Sequence, residues 1–518
     1  MLVSVCSDDK SAADPADSVE TSAADPADSV EKSAADPADS VEKSEMPIRV
    51  RRAHASRMRR CALVLGLFFG SFGCGDDASP VDGGPLDGGM DRDASIDGAV
   101  DVRDADRPDV PLPFDAGPLR DVSLRSAITR VQPMTGIVLW EDSWNGEAIK
   151  TSDAIALEYA YVPPSSIVTA RDTYDWDEFE AFLDRIAGRG HQAVVRFYYV
   201  YPGRETAVPE YLKSLSDYDE TVGSTEGMRT VFPDWTHPEL QSFHLQFFER
   251  FAERYDRDPR IAFLQVGFGL WGEYHIYDGP RVIGETFPSK AFQATFLRHL
   301  DETFEELHWS LSIDAASDEY SPFADDATLR ALDFGLFDDS FMHEEHDGYN
   351  EESWNFFEHE RRYERSPHGG ELSYYTDFDQ EHALDPEGIH GRTYEQLSAR
   401  FHVTYMIGND QPEHQSVARI REAGMANGYK LEVLSFRAGE AISVVEVHNF
   451  GIAPLYYDAF VAVNGVRSET SLKGLLPGET RVVTVASGTG ASGGADPTLT
   501  IACDRLVPGQ RIEVRAEL

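Results

Sequence analysis

Two glutamates far apart in the chain, Glu273 and Glu371, sit in settings where a carboxylate can do chemistry. Glu273 closes a long apolar run, Ile261-Ala-Phe-Leu-Gln-Val-Gly-Phe-Gly-Leu-Trp-Gly-Glu273-Tyr-His275. The run reads as a strand buried on both faces, and therefore as part of a parallel sheet. It delivers Trp271, Glu273, Tyr274 and His275 at the strand's C-terminal end, where α/β barrels build their sites. Glu371 follows Gly369-Gly370, a pair that lets a substrate come close to the backbone. Two carboxylates, one protonated and one ionised, are what glycosidic-bond hydrolysis uses. Desolvation beside Trp271 and Tyr274 raises the Glu273 pKa and suits it to protonate a leaving oxygen. Glu371 must stay ionised to attack an anomeric carbon. Arg196, in Val194-Val-Arg196-Phe-Tyr-Tyr199, is placed to stabilise and orient that anion, or else to form a structural ion pair in the barrel mouth.

Further residues fit the same chemistry. Asp338 and Asp339 are candidates to hold sugar hydroxyls, or to cap the segment that follows. Trp140, Tyr199, Tyr274, Tyr374 and Tyr375 are candidate platforms for the apolar faces of sugar rings, each equally a core residue. His343-Glu-Glu-His346-Asp347 lacks the spacing of a zinc helix and reads as a solvated acidic loop, so no metal is expected. No cofactor is expected either. The glycine-rich stretch 488–494 lacks the Lys-Ser/Thr of a phosphate loop.

Eight apolar runs can position these side chains: Gly136–Trp140, Ala154–Tyr161, Gln192–Tyr199, Ala262–Trp271, Trp309–Asp314, Leu332–Phe337, the Gly369–Glu371 region and His402–Ile407. Eight is the number that closes a (β/α)8 TIM barrel, placing Glu273 at the end of strand four and Glu371 at the end of strand seven. Amphipathic stripes lie between the runs: Trp176, Phe179, Leu183 and Ile186; Leu240, Phe243, Phe247, Phe251 and Tyr255 behind a Thr236-His-Pro-Glu239 capping box; and Phe292, Phe296, Leu300 and Phe304. After Gly428 the period becomes two. Strands over 429–434, 443–448, 460–464, 481–485 and 511–515 predict a small antiparallel β-sandwich, either extending the site or purely stabilising. Cys503 is expected to be a small core residue there.

The chain of 518 residues has 91 acidic and 46 basic side chains, a net charge of −45 that disfavours nucleic acid as a partner. Residues 1–45 carry three copies of an 11-residue SAADPADSVE-type repeat that offers too little apolar surface for a core and predicts disorder. Residues 46–74 have the basic and short apolar regions of a secretory signal. Their Ser71-Phe72-Gly73-Cys74 ending resembles a lipobox, which makes Cys74 the expected lipidation site and the membrane a partner through a lipid anchor. The position of this signal points to Met46 as the start of translation. The Asp/Gly/Pro-rich stretch 75–120 reads as an extended tether. The expected organisation is a barrel over 121–428 and a sandwich over 429–518, held on a bacterial cell envelope. Gly75 after Cys74 leans towards the outer membrane.

The motif Gly267-Phe-Gly-Leu-Trp-Gly-Glu273-Tyr-His275, with the later Gly369-Gly-Glu371, resembles a glycosidase-like family of bacterial proteins, the domain of unknown function 4832. The resemblance covers roughly residues 130–460. Two family motifs are altered: Asp338-Asp339-Ser340-Phe341 has Asp where Asn is usual, and Gln132-Pro-Met-Thr-Gly136 replaces Asn-Pro-x-Arg-Gly. The arrangement is also similar to that of retaining glycoside hydrolases with the acid/base on strand four and the nucleophile on strand seven. This likeness implies a carbohydrate substrate, Glu273 as acid/base, Glu371 as nucleophile and retention of configuration. The alternatives are a glycan-binding lipoprotein that has lost the chemistry and a structural envelope lipoprotein.

Overall fold

The computed structural model describes residues 118–143, 146–344, 348–490 and 496–518. The repeats, the signal with Cys74, nearly all of the tether, and His346 and Asp347 lie outside the described residues.

Eight parallel strands form a closed barrel: β1 (Gly136–Trp140), β2 (Leu157–Val162), β3 (Gln192–Phe197), β4 (Ile261–Val266), β5 (Trp309–Ser312), β6 (Gly335–Phe341), β7 (His368–Leu372) and β8 (Tyr405–Ile407). Each predicted run supplies one strand. β4 is shorter than expected: it stops at Val266, and the chain from Gly267 to His275 is a loop. The strands pair in chain order, with β8 meeting β1.

The helices bury the predicted stripes. α1 (Asp177–Gly188) buries Phe179, Leu183 and Ile186. α2 (Pro238–Tyr255) buries Leu240, Phe243, Phe247, Phe251 and Tyr255, and its cap is His237, whose ring accepts from Glu239 N–H at 3.2 Å, rather than Thr236. α3 (Lys290–Thr303) is capped by Ser289 and buries Phe292, Phe296 and Leu300.

The C-terminal strands make two layers, antiparallel except where Leu431–Glu432 pairs in parallel with Val514–Arg515. One contains β9 (Leu431–Ala438), β10 (Ser443–Asn449), β13 (Thr480–Val485) and β15 (Val514–Glu517); the other contains β11 (Ala459–Val463), β12 (Val466–Ser471) and β14 (Leu499–Cys503). Valines and isoleucines from both layers meet in one core, where Cys503 is a buried free thiol. The segment before the barrel joins this sandwich: Arg120–Asp121 pairs with Ala438 and Arg437, and Arg125–Ser126 with Glu517 and Ala516. The sandwich seals the N-terminal end of the barrel. Phe263 of β4 stacks on Tyr405 of β8 and on Tyr457 of the sandwich, with ring centres 5.1 and 6.3 Å apart. Arg505 donates to the carbonyls of Asp256 and Ile261, each at 2.9 Å. This is the end opposite to the one that holds the two glutamates, so the sandwich stabilises the barrel and does not extend the site.

Candidate active site

The loop after β4 is folded back on itself. The N–H groups of Phe268 and Gly269 both donate to the Glu273 carbonyl, at 3.0 and 2.8 Å, and Leu270 N–H donates to the His275 carbonyl at 3.0 Å. A Cβ on Gly269 would lie 1.9 Å from that His275 oxygen, so only glycine fits. Trp271 is held in the left-handed region at φ 54°, a strain of roughly 1–3 kcal/mol that clusters at functional sites. Its N–H donates to Val200 O at 2.9 Å, which ties the loop after β4 to the one after β3. The outcome is a rigid cradle that presents Glu273 and His275 at the C-terminal mouth.

Side chains alternate in and out along each barrel strand. Arg196 of β3, Gln265 of β4, Asp339 of β6 and Glu371 of β7 point inward. Arg196 is fully buried and makes four bonds: Nε to Gln265 Oε1 at 2.8 Å, Nη1 to Glu273 Oε1 at 3.0 Å and to Tyr161 Oη at 3.5 Å, and Nη2 to Asp339 Oδ1 at 3.0 Å. Its guanidinium lies over the Phe337 ring, 4.3 Å from the centre. Below it, Gln265 Nε2 donates to Tyr405 Oη at 2.9 Å, closing the floor of the site. Gly369 leaves room for the Tyr405 ring, since a Cβ there would lie 2.3 Å from it, and a Cβ on Gly370 would lie 2.4 Å from the Asp338 carbonyl. These two glycines accommodate the barrel's own packing rather than an approaching substrate.

The expected pairing of Arg196 with Glu371 is not what forms. Barrel strands neighbour one another in chain order, so Arg196 on β3 meets the β4 side of the mouth and takes Glu273. Glu371 is only 7% exposed and has no hydrogen-bond partner among the described residues. His275 completes the Glu273 surroundings: its Nε2 is 3.5 Å from Glu273 Oε2, and its Nδ1 is hydrogen-bonded to Asp314 just past β5.

The electrostatics follow. Burial raises the Glu273 carboxyl pKa, and His275 and Arg196 oppose the rise without cancelling it. Burial, with the charges of Glu273 and Asp410 and against that of Arg196, pushes Glu371 up to about 8. Asp339 is driven well above the usual carboxylate range by burial and by Glu273, against Arg196. Burial disfavours the charged His275 ring, but Asp314 and Glu273 outweigh it and hold its pKa above the ordinary value. The Glu273 charge is among the causes that raise the Glu371 pKa, and the Arg196 charge lowers both.

Three expected contacts, Tyr274, Tyr199 and Asp338, lie elsewhere. Tyr274 is fully buried and donates to Gln293 Oε1 at 2.7 Å. Tyr199 is buried against Trp235 and hydrogen-bonded to His244 at 2.9 Å. Neither offers a ring face to a sugar; both pack into the layer between barrel and helices. Asp338 points outward from β6, accepting from Trp354 Nε1 at 3.0 Å and Asn350 Nδ2 at 3.1 Å. His343 bonds to the buried Asp379 at 2.9 Å, in the loops beyond β6 and β7. Trp140 is half-buried, edge-on to Tyr161 with centres 5.5 Å apart, and Tyr161 lines the wall beside Arg196. Trp271 is nearly buried, with Tyr277 stacked on it at 6.0 Å. Tyr374 is half-buried and Tyr375 exposed.

Sequence reasoning missed Asp314, Gln265, Tyr161 and Tyr277. Asp314 carried a usable signal, because it ends the β5 run as Glu273 ends the extended β4 run.

No family profile matches the chain, and no curated protein does. Among solved structures it is similar to the galactosidase domain of an α-galactosidase–sucrose kinase, at 11% identity over 70% of this chain and 56% of that one, with a TM-score of 0.31. It is similar to an α-galactosidase from Lactobacillus brevis at 9% identity, over 69% and 55% of the two chains, with a TM-score of 0.30. It is also similar to GH5_18 from Bifidobacterium longum subsp. longum at 10% identity, over 56% and 78%, with a TM-score of 0.35. The chain thus spans just over half the length of the first two. Overlap this slight says nothing about activity, and the functional reading rests on the geometry of the mouth itself.

Proposed function

We propose that this chain hydrolyses a glycosidic bond with Glu273 and Glu371 as its two carboxylates. The observation that carries the reading is the nearly buried Glu371 carboxyl without a hydrogen-bond partner, sharing one barrel mouth with Glu273. With 7% of the residue exposed and no protein donor on its carboxyl among the described residues, Glu371 is open to a group that enters the mouth. Arg196 fixes Glu273 through Oε1, which leaves Oε2 to carry a proton towards a leaving oxygen. In the first step Glu371, once ionised, bonds to the anomeric carbon as the glycosidic C–O bond breaks, and the Glu273 proton passes to the departing oxygen. In the second, Glu273 takes a proton from water, the water oxygen bonds to the anomeric carbon, and Glu371 leaves as carboxylate. His275, bonded to Asp314, keeps the Glu273 carboxyl oriented.

Affiliation with the 4832 family belongs to this proposal and rests on the motif residues Gly267–His275 and Gly369–Glu371. So does attachment to the envelope through Cys74, supported by the signal-like stretch before it. Among the described residues no helix is long and apolar enough to cross a membrane.

The test is a glycan panel combined with 2-deoxy-2-fluoro glycosides that trap a glycosyl-enzyme. The expected result is product release and a label on Glu371. No product from any glycan, or a label on another residue, would reject the assignment.

A further inference from the structure

We infer that Tyr277, stacked on Trp271, forms the subsite for the departing half of the substrate, and that this half is itself a sugar. The inference rests on the hydrolytic reading and names what lies beyond the bond that breaks.

The two oxygens of Glu273 face different ways. Oε1 accepts from Arg196 at 3.0 Å, and Arg196 is held towards the barrel centre by Gln265 and Asp339. Oε2 lies 3.5 Å from His275 Nε2, on the side of the loop that continues to Tyr277. A leaving oxygen protonated from Oε2 therefore carries its attached group to the His275 side. The Tyr277 ring stands there, 5.4 Å from the His275 ring centre and stacked on Trp271 with centres 6.0 Å apart. Trp140 and Tyr161 belong to β1 and β2 instead, and Tyr375 follows β7.

The ring is both open and fixed. Tyr277 is 38% exposed, whereas Trp271 beneath it is 6% exposed. One face of Tyr277 covers Trp271 and its hydroxyl donates to Glu226, so the remaining exposure falls on the opposite face and edge. Such a face matches the apolar C–H face of a pyranose and offers little to a methyl group. A hairpin, Thr221–Thr225 paired with Met228–Phe232, holds the ring in place. At its turn Glu226 N–H donates to the Asp278 carboxylate, and Thr225 Oγ1 donates to the Asp278 carbonyl at 2.9 Å. A Cβ on Gly223 would lie 2.5 Å from Pro280, so the hairpin packs directly on the segment that carries Tyr277. Trp271 and Glu226 are both in the left-handed region, at φ 54° and 52°. Backbone strain of that kind persists at ligand clamps. A ring held in place beforehand spares the cost of ordering it on binding.

The experiment uses the full chain and matched pairs that share one glycone, a disaccharide and the corresponding methyl glycoside. The pairs are α- and β-linked, in the glucose, galactose, mannose and N-acetylglucosamine series. Binding and product release are read separately. The expected result is a preference for the disaccharide of at least about fivefold, the scale of one aromatic contact. Tyr277→Ala should cut that preference to less than about twofold, and Tyr277→Phe, which keeps the ring, should hold it within about twofold of the parent. A ratio between two substrates with the same glycone does not respond to a general loss of folded protein. Equal handling of disaccharide and methyl glycoside, or a preference that survives Tyr277→Ala, would overturn the inference and leave hydrolysis standing. Equal losses in Tyr277→Ala and Tyr277→Phe would assign the contact to the hydroxyl and overturn it too. A Tyr277-dependent preference in binding, without product from any sugar, would keep the subsite and remove the hydrolytic reading. Failure to bind any of these probes would overturn the inference.

Discussion

Arg196 donates to Glu273 at 3.0 Å, whereas Glu371, at the same mouth, has no hydrogen-bond donor among the described residues. This asymmetry separates the two carboxylates more sharply than their sequence neighbourhoods do. The first prediction concerns pH. With its pKa pushed up to about 8, Glu371 is mostly protonated in the free protein at neutral pH. On any neutral glycan that is cleaved, kcat/KM should therefore rise with pH through about 8, since that ratio reports the free enzyme. A rising limb at the value of an ordinary carboxyl, 4.5, would show that the burial of Glu371 does not govern its charge.

Stability should carry the same signature. The Glu371 pKa is higher folded than unfolded, so the folded state holds the proton more tightly. Its contribution is fully present below about 4.5 and is lost as the pH rises through about 8. Glu371→Gln removes the ionisable group and should stabilise the protein at pH 9 by roughly 1–3 kcal/mol, with much less gain at pH 5. Urea unfolding at the two pH values measures it. A variant equally stable or weaker at both would contradict a buried, unpaired charge.

Arg196→Met should act in the opposite direction. Glu273 and Asp339 would lose their shared cation inside the barrel, at a cost of about 3–5 kcal/mol when one partner of a buried ion pair is removed. The penalty should shrink towards pH 5, where both carboxyls can take up protons. A pH-independent loss would assign Arg196 to packing alone.

The barrel was legible because its strands are short apolar runs, and the helix stripes because α1, α2 and α3 bury one face each. The site was less so, for identifiable reasons. The stretch from Gly267 to Trp271 is as apolar as a strand, but contacts of Phe268, Gly269 and Leu270 with carbonyls several residues later turn it into a loop, and no local pattern encodes that return. Asp338 and Asp339 are chemically alike, and only the inward or outward register of β6 tells them apart. The partner of Arg196 was open to a better reading, because neighbouring strands in the barrel follow chain order and place β3 beside β4. Tyr199 and Tyr274 are aromatic residues at the right end of the right strands, but turned into the helix layer.

That last distinction is testable with a pair of variants. Tyr274 donates to Gln293 inside the core, whereas Tyr277 is 38% exposed and stacked on Trp271. Tyr274→Phe should lower stability by about 1–2 kcal/mol through the lost hydrogen bond and leave KM unchanged. Tyr277→Ala should cost stability as well, because its hydroxyl donates to the nearly buried Glu226, but it should also raise KM roughly three- to tenfold through the lost ring face. The reverse pattern would exchange their roles.

The sandwich supplies the final prediction, because it makes its contacts at the end of the barrel away from the glutamates. Arg505 is buried, donates to the carbonyls of Asp256 and Ile261, and lies 4.5 Å from the Tyr457 ring centre. Arg505→Ala would leave two buried carbonyls without donors and remove that stacking, a loss of about 3 kcal/mol. Because Arg505 touches neither β7 nor the loop after β4, kcat/KM at a temperature where the variant stays folded should match that of the parent. Thermal unfolding and steady-state kinetics on the same sample separate the two effects. A fall in kcat/KM with the fold intact would mean that the sandwich reaches the mouth through the barrel, and that its role extends past closing the floor.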